Sequence, residues 1–405
     1  MQIRPSPNYQ EKENAMDIKT LSAQYNPYFT ERRHYYHAHP ELPEQEAKTC
    51  AHIRQDLQDI GITDIRTMSN CHGLVATIHG GHPGKTVALR TDIDALPVKE
   101  ATGLSFASQN ENIMHACGHD AHIAILLGAA KMLFTHRDEL KGNVRLVVQP
   151  SEELATGAKA MIEESALDGV DAIYGSHVMG SLDAPYYGIS SGPLMAGAAF
   201  FSIRVNGYAA HGSEPHRGKD AITVSAAIIN ALQQCVSRMN DPQSPLVLTI
   251  GTIHGGSRFN IIPNEVTMEG TVRTFDDGSV VESKMRRVIE NTAKAFDTTA
   301  EFQFQILTPP LIHTNEKLVQ LAKNAAEKLF GKANVYPMPP LMGSEDYSYY
   351  MQKIPGIFGI IGIRDREKGY IYSNHHEKFD FDESAISRGA AIMAQFAVDY
   401  LESEL

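Results

Sequence analysis

"TVALRTDID", residues 86–94, runs through a short apolar stretch and closes on two aspartates, Asp92 and Asp94. It reads as a buried strand over 86–93 with acids at its carboxyl end. Its neighbours decide what sheet it joins. Upstream lies a second strand pattern, "LVATIHG" (74–80). Before it, "EQEAKTCAHIRQDLQDIG" (44–61) reads as a helix, with Gly61 placed as a left-handed C-cap. Downstream, "AHIAILLGAAKMLF" (121–134) reads as a helix with Asp120 as its expected N-cap. Then come the strand "VRLVV" (144–148), a helix near "GAKAMIEESAL" (157–167) and the strand "DAIYGSHV" (171–178). Strands alternating with helices predict an α/β fold with a mostly parallel sheet flanked by helices.

The pattern then changes. "FFSIRVNG" (200–207) is a strand and "AITVSAAIINALQQCVSRM" (221–239) an amphipathic helix. "LVLTIGTI" (246–253) and "EVTMEGTVRTF" (265–275) are strands. The next helix (279–296) is expected to open on a capping box of Ser279 and Glu282, and "AEFQFQI" (300–306) closes the set. This β-α-β-β-α-β order is the ferredoxin-like signature. Gly- and Pro-containing segments, "SSGPLMAG" and "LTPPLIHT", flank it as hinges. Helix (316–331), strand (357–363) and closing helix (383–403) patterns then resume. The expected organisation is a disordered tail over 1–16, a discontinuous α/β domain over 17–190 and 307–405, and an inserted lid domain over 191–306.

The chain has 405 residues, more than one core usually serves, and a formal net charge of −12. That charge, with no basic patch, argues against nucleic acid and anionic membranes as partners. No apolar run approaches the ~20 residues that span a bilayer. The N-terminus lacks the apolar core of a signal peptide, and Met16 is a candidate alternative start. Four scattered cysteines do not make a disulfide framework, so a reducing, cytoplasmic setting is expected.

In open α/β sheets, ligands collect beyond the carboxyl ends of the strands. There this sequence puts Asp92 and Asp94, then Glu152 and Glu153 after "VRLVVQPS", then His177, then His375 and His376 after "IFGIIGI". "MHACGHDAH" (114–122) adds Cys117 and His119 ahead of a helix. Each has a plain reading alone: Asp92 as a turn residue, His177 as a core histidine, the glutamates as a solvated helix start, Cys117 as an inert or catalytic thiol. Convergence at one sheet edge favours a metal centre instead. Thiolate, imidazole and carboxylate together suit zinc, manganese, cobalt or nickel rather than magnesium or calcium. His34, His37 and His39 in "HYYHAHPELPE" precede the sheet and are read as non-ligands.

The stretches "ALRTDIDALPVKE", "MHACGHDAH", "QPSEELATGA", "GSHV", "VNGYAAHGSEPHRGKDAI", "GGSRFNIIPNEVTMEGTVRTFD" and "HHEKFDF" follow one family's order and spacing. The chain resembles the metal-dependent amidohydrolases of the aminoacylase/carboxypeptidase superfamily. The resemblance is strongest to the branch of hippurate hydrolases, N-acetyl-amino-acid deacetylases and auxin-conjugate hydrolases. It runs from about residue 25 to the C-terminus. It implies two divalent metal ions, held by Cys117, His119, Glu153, His177 and His375. His375 is the histidine four residues before a Phe, with Glu377 where the pattern has Pro and His376 adjacent. Asp94 matches a supporting aspartate, and Asp92 stands where related peptidases have a histidine ligand.

The resemblance further implies Glu152 as general base and then acid. His211 on the lid serves as oxyanion donor, in its own or a partner's site, and Asn260 and Arg273 hold the substrate carboxylate. The expected reaction is hydrolysis of the amide bond of N-acyl amino acids by a homodimer or higher homo-oligomer joined through its lids. A dipeptidase or aminopeptidase of the same superfamily is the alternative, and a silent binding protein on this fold a remote one.

Overall fold

A computed structural model describes residues 16–405; the expected disordered tail, 1–16, lies outside them except for Met16. Eight strands form the main sheet in the order Ile65–Thr67, Leu74–His79, Lys141–Gln149, His82–Asp92, Ala172–Asp183, Gly356–Arg364, Tyr187–Gly188 and Val335–Tyr336. The middle four run parallel. The two strands at the N-terminal edge are antiparallel, and Tyr187–Gly188 runs antiparallel to Gly356–Arg364. Loop length explains the first exception. Only two residues join Leu74–His79 to His82–Asp92, too few for the crossover that a parallel neighbour requires. The two strands do not pair; Lys141–Gln149 lies between them.

Both faces of the sheet are buried, and successive residues divide between two cores. Val87 and Leu89 face one, with Leu74, Ala76, Leu146, Tyr174 and Ile361. Ala88 faces the other, with Val75, Val147, Ile173 and Phe358. This period-two division is the consequence of a pleated strand covered on both sides. The helix His119–Thr135 is apolar on nearly every side and sits inside the first core. Gly61 does end the preceding helix in a left-handed conformation, with φ of 107°.

Two expected caps are corrected. The helix starts at His119 with Gly118 as its cap, and Asp120 lies in the first turn. Its carboxylate instead accepts from Arg33 and His37. The lid's second helix, Gly278–Ala295, is capped by Asp277, which accepts from the Ser279 backbone N–H. Glu282 pairs one turn on with Arg286 at 2.7 Å. An aspartate two residues before Ser279 wins the cap because its ionised oxygen is the stronger acceptor. A further helix, Ile18–Ala38, has no counterpart in the sequence reading. Its buried side includes Ser22, Arg33 and His37, so it carries no clean apolar stripe.

The lid sheet has the order Leu246–Gly255, Glu265–Thr274, Gly197–Asn206, Thr299–Thr308, antiparallel throughout, the ferredoxin-like arrangement. It has its own core, built on Phe201, Ile203, Ile228, Met268, Met285 and Ile289. The two hinges pair with each other: Gly192–Met195 lies antiparallel to Leu311–His313.

Candidate metal centre

Chain geometry gathers the candidate ligands where the parallel strands end. The Cys117 sulfur lies 3.3 Å from His177 Nε2. Donor atoms of Cys117, His119 and His177 fall within 4.8 Å of one another, as do those of Cys117, Glu153 and His375, and those of His119, Glu152 and Glu153. The structure therefore brings together all five ligand candidates and Glu152. His177 does not end its strand, as the sequence suggested, but sits within Ala172–Asp183, past the last residue paired with His82–Asp92. His375, not His376, joins the cluster. His376 stacks on Tyr372 and accepts from the Lys378 backbone N–H.

Supporting contacts fix which ring nitrogen each histidine presents. His177 Nδ1 donates to the Val178 carbonyl at 2.6 Å, leaving Nε2 to face Cys117. His119 Nδ1 bonds the Asp94 carbonyl and carboxylate at 2.9 and 3.2 Å, turning Nε2 inward. Asp94 also accepts from the Glu153 backbone N–H at 3.0 Å, so one aspartate orients two candidates. Asp92 accepts from His122 at 2.6 Å and from Arg90 at 2.7 Å, and its Oδ2 lies 3.7 Å from His119 Nε2.

These side chains fit a cation. His119 Nε2 and Glu153 Oε1 are buried with no hydrogen-bond partner. His375 Nε2 stands 3.3 Å from that same Glu153 oxygen, in ion-pair range. Orphaned buried polar atoms are costly unless a partner meets them. The charges are unusual as well. Burial pushes the Cys117 thiol up from its ordinary range. Burial also disfavours a charged His119, but Asp92 and Cys117 outweigh it and hold that imidazole well above its usual pKa. Burial, with Glu345, Asp346 and Glu153 nearby, lifts the Glu152 carboxyl far above the carboxylate range. Such concentrated perturbation marks a functional site.

Gly118 makes the Cys-x-His spacing workable. Its φ is 94°, and a Cβ there would lie 2.4 Å from a Val178 methyl. Gly118→Ala is expected to destabilise the metal-free protein by about 1–3 kcal/mol, read from its denaturant midpoint, because both strain and overlap oppose it.

A cavity of about 550 Å3 opens over the cluster. Arg273 lines it, while Met179, Met195, Met342 and Leu307 supply apolar wall. The Arg273 guanidinium donates to Thr271 and the Val272 carbonyl and has no carboxylate partner among the described residues. Two expected site residues are not there. His211 pairs in register with Ile261, and its ring bonds Ser213. Asn260 sits beside it, its carbonyl accepting from Gly212 at 2.8 Å. Neither lines the cavity of its own chain.

The sequence reading missed Arg90, His122, Glu345 and Asn374. Arg90 is a fully buried cation between Asp92, Glu345 and Asp346, at 2.7, 3.0 and 3.2 Å. A charge inside an apolar strand was its visible signal. His122 lies three residues after His119, on the same helix face. Glu345 and Asn374 sit in loops whose position only the fold reveals.

A model of the peptidase family M20/M25/M40 matches residues 88–399. The chain belongs to this family. It is 40% identical to the N-acetyl-L-cysteine deacetylase of Bacillus subtilis over 395 residues, covering 97% of this chain and 92% of that protein. It is 37% identical to the IAA-amino acid hydrolase ILR1-like 2 of Arabidopsis thaliana, covering 92% and 85%. The crystal structure of a dinuclear metal-binding M20 peptidase from Bacillus subtilis superimposes with a TM-score of 0.83 at 35% identity, covering 94% of this chain and 99% of that one. The M20 fold accounts for the mainly parallel sheet flanked by helices, and the chain is a hydrolase of this family.

Proposed function

We propose that the protein hydrolyses the amide bond of N-acyl amino acids, releasing a carboxylic acid and an amino acid. The observation that carries this is the meeting of Cys117, His119, Glu153, His177 and His375 beside Glu152, under a cavity that also holds an unpaired Arg273. The residues fit two divalent cations, with zinc, manganese, cobalt or nickel suited to the sulfur–nitrogen–oxygen donor set. When bound, such ions polarise an amide carbonyl and lower the pKa of a water.

The chain's own groups do the rest. Glu152 takes a proton from the attacking water as its oxygen joins the carbonyl carbon. It then hands that proton to the amide nitrogen as the C–N bond breaks. Arg273 holds the free carboxylate of the amino-acid half through paired N–H donors. Among the described residues its charge has no carboxylate partner, so a substrate carboxylate meets a half-buried, unpaired cation. Glu345 also lines the cavity and accepts from Arg90, a cation it shares with Asp92 and Asp346.

The domain division into 17–190 with 307–405, and 191–306, is supported by the lid's separate core and paired hinges. The placement of His211 and Asn260 outside their own cavity supports a homodimer in which each lid serves the other chain's site. Among the described residues no helix is long and apolar enough to cross a membrane. The four cysteines are free, which suits the reducing, cytoplasmic setting proposed.

Elemental analysis of the purified protein, coupled to a panel of N-acetyl, N-benzoyl and N-indoleacetyl amino acids against dipeptides, tests the proposal. Metal-dependent release from the acylated compounds is expected. Faster turnover of dipeptides would overturn the substrate class. Arg273→Lys is expected to raise KM about 10-fold with kcat nearly unchanged, since a point charge replaces a paired contact made before and during reaction.

A further inference from the structure

Asn374 makes three bonds to two chain segments that carry candidate ligands, and its own loop carries a third. Its Nδ2 donates to the Cys117 carbonyl at 2.8 Å and to the Val178 carbonyl at 3.1 Å. Its Oδ1 accepts from the Gly180 backbone N–H at 2.9 Å. Both donor hydrogens and the acceptor oxygen are thus engaged. The Val178 carbonyl is also the acceptor that fixes the His177 ring, at 2.6 Å. The Val178 N–H in turn donates to His122 Nε2 at 2.9 Å, and His122 donates to Asp92. One residue, Val178, therefore ties His177, His122 and Asp92 together through its carbonyl and its N–H, and Asn374 ties it to the Cys117 loop.

The next residue is His375, held at φ of 71° in the left-handed region and anchored by its backbone N–H to the Ala116 carbonyl at 2.7 Å. A non-glycine residue there needs its surroundings to hold it. Asn374 and the Ala116 carbonyl provide that hold from both sides. The loop carrying His375 has no strand of its own at this point, so these bonds are what fix it against the strand Ala172–Asp183.

We propose that Asn374 is a positioning residue for the metal centre, setting the Cys117 loop, the His177 ring and the His375 backbone into one arrangement. The proposal rests on the metal-dependent reading above. No other side chain at the site bonds the backbone of both the Cys117 loop and the His177 strand, among the described residues. Asn374→Asp keeps the shape and the acceptor for Gly180 but turns an oxygen toward two carbonyl oxygens. Asn374→Ala removes all three bonds and adds no charge.

The test uses Co(II) alone as the probe, on the full chain, without substrate. Cobalt affinity is measured by competition with a chelator, and thiolate coordination by the Cys117-to-cobalt charge-transfer band. Both variants are expected to bind cobalt about 10 to 100-fold more weakly and to show a shifted or weakened band. Their metal-free forms should stay folded, with melting temperatures lowered only by the few degrees that the lost hydrogen bonds account for. Parent-like affinity and band in either folded variant would overturn the proposal. A lowered melting temperature with unchanged cobalt affinity and band would also overturn it, as the mark of a purely structural residue. A parent protein with no thiolate band would sink the metal reading itself, and this proposal with it.

Discussion

Glu152→Gln is expected to lower kcat by a factor of about 100 to 10,000 while KM and metal content stay near the parent values. Glutamine keeps the size of the side chain but can neither take up nor return a proton. The location of Glu152 supports it, rather than Glu153, as the proposed proton carrier. The loop after strand Lys141–Gln149 is bent by two non-glycine residues with positive φ, Ser151 at 52° and Ala155 at 55°. That bend sends neighbouring carboxylates to different places. Glu153 reaches the Cys117–His375 group, whereas Glu152 also lies within 4.8 Å of Glu345 and Asp346. The bend is held from behind: Glu46, itself buried, accepts from the Ser151 N–H and hydroxyl at 2.8 and 3.1 Å. Burial and three nearby carboxylates give Glu152 a high proton affinity, and bound cations would pull it back toward the working range. Turnover and elemental analysis on one preparation decide the matter. A parent-like rate eliminates Glu152 as the carrier, and a loss of metal makes it a ligand instead.

Much of this was legible from residue order alone, for a physical reason. Strands with apolar runs end abruptly in acids or histidines, and the α/β fold collects strand ends at one edge. Asp92, Asp94, Glu152 and Glu153 could be placed by that rule, and the lid by its change of period. Three kinds of feature escaped. Ile18–Ala38 buries an arginine and a histidine, so hydrophobic periodicity does not report it. The antiparallel edge follows from strand Lys141–Gln149 slipping between two strands that adjoin in sequence. Asn374 acts through three backbone contacts to segments roughly two hundred residues away or more, and no local pattern encodes such reach.

Cys117→Ser is expected to weaken zinc binding by at least ~100-fold, more than the loss of a supporting contact alone, and to remove most turnover through that loss. The alternative is a thiol nucleophile, and the two readings part on metal content. In the metal-free protein burial keeps the Cys117 thiol protonated near neutral pH, and a protonated thiol is a poor nucleophile. His177 Nε2, 3.3 Å away, is held well below its usual pKa by burial and the nearby His122 and does not retain a proton. His119 and His375, both held above their usual pKa in part by Cys117, are the rings a thiol nucleophile would use, so metal content is what separates the two readings. A divalent cation reverses the balance, because a coordinating thiol ionises outright. Zinc binding by the parent should therefore release the thiol proton into buffer, and the serine variant should release about one fewer at the same pH. Chelation should also lower the parent's melting temperature, since ligand at 100 times its Kd adds about 2.7 kcal/mol to the folded state. That increment should largely vanish in Cys117→Ser. Should the variant instead keep its zinc and its melting temperature while turnover disappears, Cys117 is the nucleophile, and the ligand set would have to close without sulfur.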